Sequence, residues 1–167
     1  MYKAILVFSL CFFASCMRDN DSQLYRMNID VVMKQNDSIQ VFYTNDGTIN
    51  FNEGASFWVK VKGKDKNQKI DIRFPKNALP TQVRLDLGRN PKQGEIIFNK
   101  FEFVYKNHKF EAKGKDIYKY FRIDQSNTVL DEKSGALTRK AQQPNGPSLY
   151  PNGYYLAVKL EELKFKK

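Results

Sequence analysis

The chain has 167 residues, 28 of them basic and 18 acidic, with a formal net charge of +10 and only two cysteines and one histidine. This length suits one domain with a single hydrophobic core, and the scarcity of cysteine and histidine argues against zinc sites and against Ser-His or Cys-His catalysis. The positive charge favours anionic partners, but the lysines are spread along the chain, as on a solvated basic surface.

Residues 1–15 have the pattern of a secretory signal peptide. Lys3 gives the start a positive charge, and an apolar stretch follows over residues 4–13. A stretch of about ten residues is typical of a signal-peptide core, whereas a membrane-spanning helix needs roughly 20. Two small residues, Ala14 and Ser15, precede Cys16, and a signal peptidase needs small side chains beside its cleavage site. We therefore predict export and cleavage before Cys16.

The sequence Phe13-Ala14-Ser15-Cys16 resembles the bacterial lipobox, Leu-Ala-Gly-Cys or a near variant, with Phe13 in place of the usual leucine. The resemblance implies that Cys16 begins the mature protein and carries lipid, so that residues 16–24 form a lipidated N-terminus and a short tether. Cleavage removes Cys11, which leaves Cys16 as the one cysteine of the mature sequence, so no internal disulfide is possible. Several acyl chains on this cysteine would attach the protein stably to a membrane.

The residues after Cys16 bear on which membrane holds the protein. Met17 stands where many gram-negative lipoproteins of the inner membrane have aspartate, and Asp19 and Asp21 resemble a short acidic surface-export signal. The expected location is therefore the outer membrane, in either leaflet. Two other interpretations are an ordinary signal peptide with an incidental cysteine and a short membrane anchor that is not cut.

Beyond residue 24, apolar and polar residues alternate with a period of two, and turn residues interrupt the alternation at short intervals. This pattern predicts short β-strands. In chain order, the predicted strands cover residues 25–33, 39–43, 57–61, 70–74, 83–87, 95–105, 108–112 and 154–160. The strand at 95–105 is apolar on both faces, which predicts a central strand covered on both sides. A helical turn is expected at 116–121, and a long loop at 124–153 with a short strand near 128–130.

Many short strands and few helices predict an all-β fold. The expected architecture is an antiparallel β-sandwich similar to a jelly roll, with a long late loop and at most one or two short helices. The sandwich is expected to cover residues 25–167 as a single domain. Pairing of the first strand with the last, which is common in jelly rolls, is also expected.

Several runs in the first two thirds of the chain carry a further resemblance. They are Ser38-Ile39-Gln40-Val41-Phe42-Tyr43, Val59-Lys60-Val61-Lys62-Gly63, Val83-Arg84-Leu85-Asp86-Leu87-Gly88, Lys113-Gly114-Lys115-Asp116 and Tyr120-Phe121. Together they resemble the galactose-binding or carbohydrate-binding jelly-roll domains attached to some bacterial membrane glycosyltransferases and polysaccharide-assembly proteins. The resemblance implies a sandwich fold and a glycan-binding role, but no transferase activity, because it includes no transferase domain.

Trp58 is the most informative single residue of the predicted sheet. If Phe57 and its alternate neighbours point inward, Trp58 shares the outer face with the lysines on either side of Val61. An exposed indole beside cations can stack on a sugar ring and hold an acidic group, although Trp58 would lie there equally if it only covered a neighbouring strand or loop. Tyrosines near the late loop are the expected companions. The predicted binding residues are Trp58, Lys60, Lys62, Tyr150, Tyr154 and Tyr155.

The carboxylates suited to glycoside hydrolysis lie on predicted strands, and Arg84 stands two residues before Asp86, which predicts an ion pair rather than a catalytic acid. These carboxylates are Asp71, Asp86, Glu95 and Glu102. No catalytic residue, metal ligand or cofactor is predicted, although Asn45-Asp46-Gly47 and Asn52-Glu53-Gly54 offer oxygen ligands for a calcium ion as well as ordinary turn residues. An anchored envelope protein would rarely meet a nucleic acid, so no nucleic-acid partner is predicted. The first hypothesis is a non-catalytic, lipid-anchored envelope protein whose sandwich binds a glycan or a protein partner. The second is a structural or assembly subunit of an envelope complex without a small ligand, and the third is a glycan-active enzyme.

Overall fold

A computed structural model of the chain describes residues 24–165. The predicted signal peptide, the predicted lipidation site Cys16 and the tether up to residue 23 lie outside the described residues. One sheet contains β1 (Arg26–Met33), β4 (Lys64–Arg73), β6 (Ile96–Tyr105), β7 (His108–Lys113), β9 (Thr128–Leu130) and β10 (Ala136–Arg139). The other contains β2 (Asp37–Thr44), β3 (Ser56–Val61), β5 (Gln82–Asp86), β8 (Phe121–Ile123) and β11 (Ser148–Pro151).

All pairings in both sheets are antiparallel. In the first sheet the order is β4-β1-β6, and the far edge of β6 is shared by β7 at one end and by β10, followed by β9, at the other. In the second sheet the order is β3-β2-β5-β11-β8. The all-β antiparallel sandwich predicted from the sequence is confirmed.

The core between the sheets is built from alternate residues of the strands, as expected where each sheet has one buried face. Aromatic side chains fill much of it. The Phe101 ring lies edge to face against Phe103 in the same strand, with centroids 5.6 Å apart, and against Phe121 of the second sheet at 5.3 Å. Edge-to-face contacts of this kind are favourable beyond the area they bury, so Phe101 helps to hold the two sheets together.

Strand β6 differs from its prediction in which residues face the core. Its register with β1 shifts between Asp30 and Val31, which leaves Asn99 as an extra residue in a β-bulge. The bulge reverses the alternation of side chains along β6. The core-facing residues, taken from both sides of the bulge, are Ile96, Phe98, Phe101 and Phe103. The expectation that β6 is covered on both faces is therefore wrong, because the phenylalanines on both sides of the bulge face the core, whereas Ile97, Glu102 and Val104 on the other face are only partly buried.

The connection from β3 to β4 carries the chain from the second sheet to the first. It consists of only two residues, and a Cβ at Gly63 would collide with backbone atoms of the β1–β2 turn, including the carbonyl oxygen of Lys34. Glycine is required at such a close approach of two backbones. The Gly63 amide also donates a hydrogen bond to Asn36 Oδ1, at 2.9 Å, so the crossover is fixed to that turn.

The late segment predicted as a long loop contains more regular structure than expected. The strand near 128–130 is present as β9, and β10 and β11 follow it. β11 is an interior strand of the second sheet, between β5 and β8. Arg139 in β10 joins this segment to an earlier loop, because its guanidinium donates to the carbonyl oxygens of Gly146 and Asn90 at 3.0 and 3.2 Å. The predicted helical turn is a 3-10 helix at Gly114–Lys119.

The predicted closing strand at 154–160 is wrong, because this segment is the α-helix α1 (Tyr155–Phe165). Alternation of apolar residues at 154, 156, 158 and 160 is compatible with either structure. The residues that the helix buries are Leu156, Leu160 and Leu163, a spacing typical of a helix. The expected pairing of first and last strands does not occur, since β1 and β11 belong to different sheets. Within residues 24–165, no helix is both long and apolar enough to cross a bilayer.

Candidate functional site

The outer face of the second sheet carries an unusual set of aromatic and cationic side chains. The apolar neighbours along these strands are buried in the core, so the alternate residues point away from it. Across the sheet, Gln40 lies between Trp58 of β3 and Asp86 of β5, and Phe42 lies between Ser56 and Arg84. We call this surface the aromatic face. Its residues are Gln40, Phe42, Trp58, Lys60, Arg84, Asp86, Arg89, Arg122 and Tyr150.

Trp58 is the exposed aromatic side chain of this surface. It lies on the edge strand β3 and is 42% exposed. The guanidinium carbon of Arg89 lies 4.9 Å from the centroid of its ring. Lys60, the next outward residue of β3, is exposed and pairs with Ser38 across the sheet. An open indole thus has a guanidinium against its ring and an ammonium group on the same face of the sheet.

Arg89 is held over Trp58 by the backbone of the loop that follows β5. The carboxylate atom Asp37 Oδ1 accepts hydrogen bonds from the amides of Arg89 and Asn90, at 2.8 and 3.1 Å, and from the amide of Ser38 at 2.8 Å. Gly88 has a φ of +141° and lies directly against the Asp37 carboxylate, where a Cβ would not fit. Asp37 and Gly88 therefore fix the loop, and the loop positions Arg89.

A second group on the aromatic face forms a continuous stack. The Arg84 guanidinium carbon lies 4.6 Å from the centroid of Phe42 and 4.5 Å from that of Tyr150. Arg122 lies 5.1 Å from the Tyr150 centroid. Because β11 runs between β5 and β8, the two arginines approach Tyr150 from opposite sides. Tyr150 is therefore enclosed between cations, and a ligand could stack on its ring only by displacing an arginine.

The stack is also covered by the loop before β3. The ring of Phe51 lies edge to face against Phe42, with centroids 6.5 Å apart, and against Tyr150 at 6.1 Å. In the same region Gln40 Nε2 donates to Glu53 Oε2 at 2.6 Å and to Ser56 Oγ at 3.1 Å. These contacts bury Phe42 almost completely even though it points away from the core.

The charges around the stack compensate one another. Arg84 and Asp86 form a two-point ion pair, with Nη2 to Oδ2 at 2.7 Å and Nε to Oδ1 at 2.9 Å, which confirms the pair predicted from the sequence. Burial raises the pKa of Tyr150, so its phenol stays protonated. Burial opposes ionisation of Asp124, but hydrogen bonds from Ser126 and the charges of Arg84 and Arg122 outweigh it and lower the pKa of Asp124.

The structure brings together three of the six predicted binding residues, since Trp58, Lys60 and Tyr150 share the aromatic face. Lys62 lies past the end of β3 in the crossover to β4, where its carbonyl oxygen accepts a hydrogen bond from Gln68 Nε2 at 3.0 Å. Tyr154 immediately precedes α1 and Tyr155 is its first residue. Both are exposed, but they lie at the start of the helix rather than on the sheet.

Sequence reasoning missed Arg89 and the stacking of Arg84. Arg89 stands in the run Gly88-Arg89-Asn90-Pro91, in the connection between the predicted strands at 83–87 and 95–105. The one available signal was the glycine before it, which marks a strained turn or a close approach. Arg84 was assigned correctly to an ion pair. Its second role depends on Tyr150, which is 66 residues away in sequence.

The candidate catalytic carboxylates do not share one cleft. Asp71 and Glu102 both lie beside Asn28, in strands β4 and β6, on the outer face of the first sheet. Asp86 belongs to the second sheet. Glu102 lies within 4.0 Å of the ammonium groups of Lys69, Lys100 and Lys109. Across residues 24–165, no group of three or more His, Cys, Asp or Glu residues is arranged to hold a metal ion.

A cavity of about 380 Å³ lies on the first sheet, where β6 passes from β7 to β10. Its size is within the range of small-molecule sites. Apolar side chains line it together with groups of both charges. The lining includes Ile97, Phe98, Lys115, Leu130, Glu132 and Lys133. Because these charged groups have both signs, they do not indicate one class of ligand. The aromatic face is therefore the better candidate for a binding site.

Comparisons with known proteins identify no relative for this geometry. No family model matches the chain, and no curated protein or solved structure matches it either. Function is therefore inferred from the residues and their contacts.

Proposed function

We propose that this protein is a non-catalytic, lipid-anchored component of the cell envelope, attached to the outer membrane through Cys16, and that its aromatic face binds a glycan. The observation that carries the proposal is the open indole of Trp58, which has Arg89 against its ring and Lys60 on the same face. Sequence supports the anchor, through the resemblance of residues 13–16 to a lipobox. Contacts of the described residues support the binding surface.

The arrangement around Trp58 suits an acidic sugar. Indole offers a large flat apolar surface, on which the C–H groups of one face of a pyranose ring can stack. The hydroxyls at the edge of the sugar ring then stay in water and keep their hydrogen bonds. A guanidinium beside the ring can bind a carboxylate or phosphate with two parallel hydrogen bonds, and Lys60 adds a mobile positive charge. Asp37 fixes the Arg89 loop before any ligand binds, so little ordering is needed on binding.

A binding assay on a glycan array tests this proposal. The mature protein should bind glycans that carry carboxylate or phosphate groups, and Trp58→Ala should reduce the signal at least about tenfold, as expected for the loss of a central aromatic contact. Arg89→Ala should weaken binding to acidic glycans more than to neutral ones. Tyr154→Ala is the matched control, because it removes another exposed aromatic side chain that lies outside the aromatic face.

The array also separates glycan binding from an assembly role. Equal loss in Trp58→Ala and Tyr154→Ala would show that binding does not use the aromatic face. Silence across the array, together with a membrane complex that co-purifies with the wild type and is lost in Trp58→Ala, would favour a structural subunit that uses the same surface for a protein. Circular dichroism of each variant should match the wild type, since the substituted side chains are exposed.

A further inference from the structure

Helix α1 is apolar on two opposite faces. Its inner face buries three leucines against the sandwich. On the outer face, Tyr154 is 78% exposed, Val158 52% and Phe165 77%. At 100° per residue these three positions fall on one line along the helix, opposite the buried leucines. We call them the outer stripe. An amphipathic helix of a soluble domain normally presents polar residues on this face. The exposed apolar side chains of the outer stripe therefore indicate a surface that contacts another molecule or a membrane.

The helix lies beside the place where the chain enters the sandwich from its N-terminus. Tyr25, the residue before β1, is buried and donates a hydrogen bond from its hydroxyl to the carbonyl oxygen of Leu160, at 3.0 Å. Its ring stacks on Tyr105 at the end of β6, with centroids 5.0 Å apart. The N-terminal segment therefore joins the domain directly beneath α1. Because the inner face of α1 meets the sandwich, the outer stripe points away from it.

The length of the N-terminal segment limits how far this part of the domain can move from a lipidated Cys16. The residues between Cys16 and Tyr25 number eight, from Met17 to Leu24. Fully extended, such a segment spans at most about 30 Å. A lipidated Cys16 would therefore keep Tyr25 within about 30 Å of the bilayer surface, and α1, which is packed on Tyr25, would stay within reach of that surface.

The side chains of α1 suit the boundary between lipid headgroups and acyl chains. Tyrosine and other aromatic residues are enriched at this boundary, where one end of the ring is apolar and the other is hydrated. Two glutamates flank the outer stripe, but each is neutralised within the helix: Glu161 by Lys164 at 2.8 Å and Glu162 by Lys159 at 2.9 Å. The stripe therefore carries no uncompensated acid that would keep it away from a phospholipid surface.

We propose that α1 rests on the membrane surface, with Tyr154, Val158 and Phe165 inserted into the interfacial region, so that the domain is oriented and not only tethered. This inference depends on the proposed lipid anchor. It gives the anchor a structural consequence: the aromatic face is presented in a defined direction relative to the bilayer. Helices of this kind lie in the membrane plane with their apolar face buried about 5 to 10 Å.

Quenching of tryptophan fluorescence by brominated lipid tests the insertion. The full-length protein is purified from membranes, with Trp58→Phe to remove the native tryptophan and Val158→Trp to place one in the outer stripe. It is reconstituted into phosphatidylethanolamine and phosphatidylglycerol vesicles with brominated acyl chains. Fluorescence should fall at least about twofold relative to unbrominated vesicles, because a residue at the interface lies within reach of the bromines.

Val129→Trp in the same background is the matched control. Val129 is an exposed valine in β9, which reaches β6 through β10 at Ile96 and Ile97, the end of that strand opposite to Tyr105. Its fluorescence should change little. Mass spectrometry of each preparation records the acyl groups on Cys16, so that the anchor and the insertion are judged separately.

Quenching and acylation together decide between the possible results. Acylated protein with strong quenching at position 158 and little at position 129 supports the inference. Acylated protein with equal quenching at the two positions, or none, overturns it and leaves the anchor standing. A mature chain without acyl groups overturns the anchor and the inference together. An unquenched but dimeric protein that becomes monomeric with Val158→Asp would assign the outer stripe to a second copy of the chain and would also overturn membrane contact.

Discussion

Two arginine–aspartate pairs have the same spacing in the sequence and very different surroundings in the fold. On the first sheet, Arg73 Nε lies 2.8 Å from Asp71 Oδ2, both in β4. On the second sheet, Arg84 Nη2 lies 2.7 Å from Asp86 Oδ2, both in β5. The side chains of Arg73 and Asp71 are 53% and 38% exposed, whereas those of Arg84 and Asp86 are 22% and 9% exposed.

The difference comes from the neighbours of each strand. β4 is an edge strand, and on its outer face Lys69 joins a network of ion pairs that links it to lysines and glutamates of β6 and β7. β5 is an interior strand, and its arginine is enclosed by two aromatic rings that a loop covers. A motif of two residues therefore does not determine how much an ion pair contributes to stability. Strand position and covering side chains decide it.

Removing each arginine in turn tests whether the two ion pairs differ in how much they stabilise the fold. Arg84→Ala leaves the nearly buried Asp86 without its cation and opens the stack, so the free energy of unfolding should fall by about 2 to 4 kcal/mol. Arg73→Ala, the matched control, should cost less than about 1 kcal/mol, because exposed pairs are screened by water. Urea unfolding followed by circular dichroism measures both. Equal losses in the two variants would contradict the assignment of different roles to the two faces.

How much of this could be predicted from the sequence depends on the range of the contacts involved. The sandwich, most strand positions and the Arg84–Asp86 pair follow from local alternation, because residues two apart in a strand share a face. The phase of β6 does not, because a bulge at Asn99 reverses it and no residue type marks the bulge. The C-terminal helix does not follow from it either, since apolar residues at 154, 156, 158 and 160 fit a period of two and so predict a strand.

The site shows the same limit. Trp58 and Lys60 are neighbours in one strand, so alternation alone placed them on one face. Arg89 reaches Trp58 only because Asp37, in another strand, holds its loop, and Tyr150 is enclosed by arginines from two other strands. Proximity in sequence predicts that Tyr154 and Tyr155 lie with Tyr150, but the chain changes from strand to helix between them. Contacts between strands that are distant in the chain depend on the strand order, which a single sequence does not predict.

Substitution of Tyr150 tests whether the ring between Arg84 and Arg122 stabilises the second sheet. Tyr150→Leu keeps an apolar side chain but removes the aromatic ring that Arg84 and Arg122 contact, so the free energy of unfolding should fall by about 1 to 2 kcal/mol. Tyr150→Phe keeps the ring and is the matched control, with an expected change within about 0.5 kcal/mol. Thermal unfolding of both variants distinguishes them. If Leu and Phe proved equally tolerated, stacking of the arginines would not stabilise the second sheet.

The smallest effect is expected on the first sheet, at Glu111, and it should depend on pH. A hydrogen bond from Lys100, at 2.8 Å, together with the charges of Lys100 and Lys109, lowers the pKa of Glu111 below its ordinary value of 4.5. A carboxyl whose pKa is lowered by folding contributes stability above its unfolded pKa, and the contribution is lost as the pH falls through the folded pKa.

Glu111→Gln should therefore lower the urea midpoint slightly at pH 7, and the difference from the wild type should disappear as the pH falls from 4.5 through the lowered pKa of Glu111. The difference at pH 7 should also shrink at high salt, because the pair is exposed. In a Lys100→Met background, Glu111→Gln should have almost no pH-dependent effect, since the main cause of the shift is gone. A difference that persists at low pH and high salt would mean that packing, and not its charge, makes Glu111 stabilising. The outer face of the first sheet would then resemble the enclosed outer face of the second sheet.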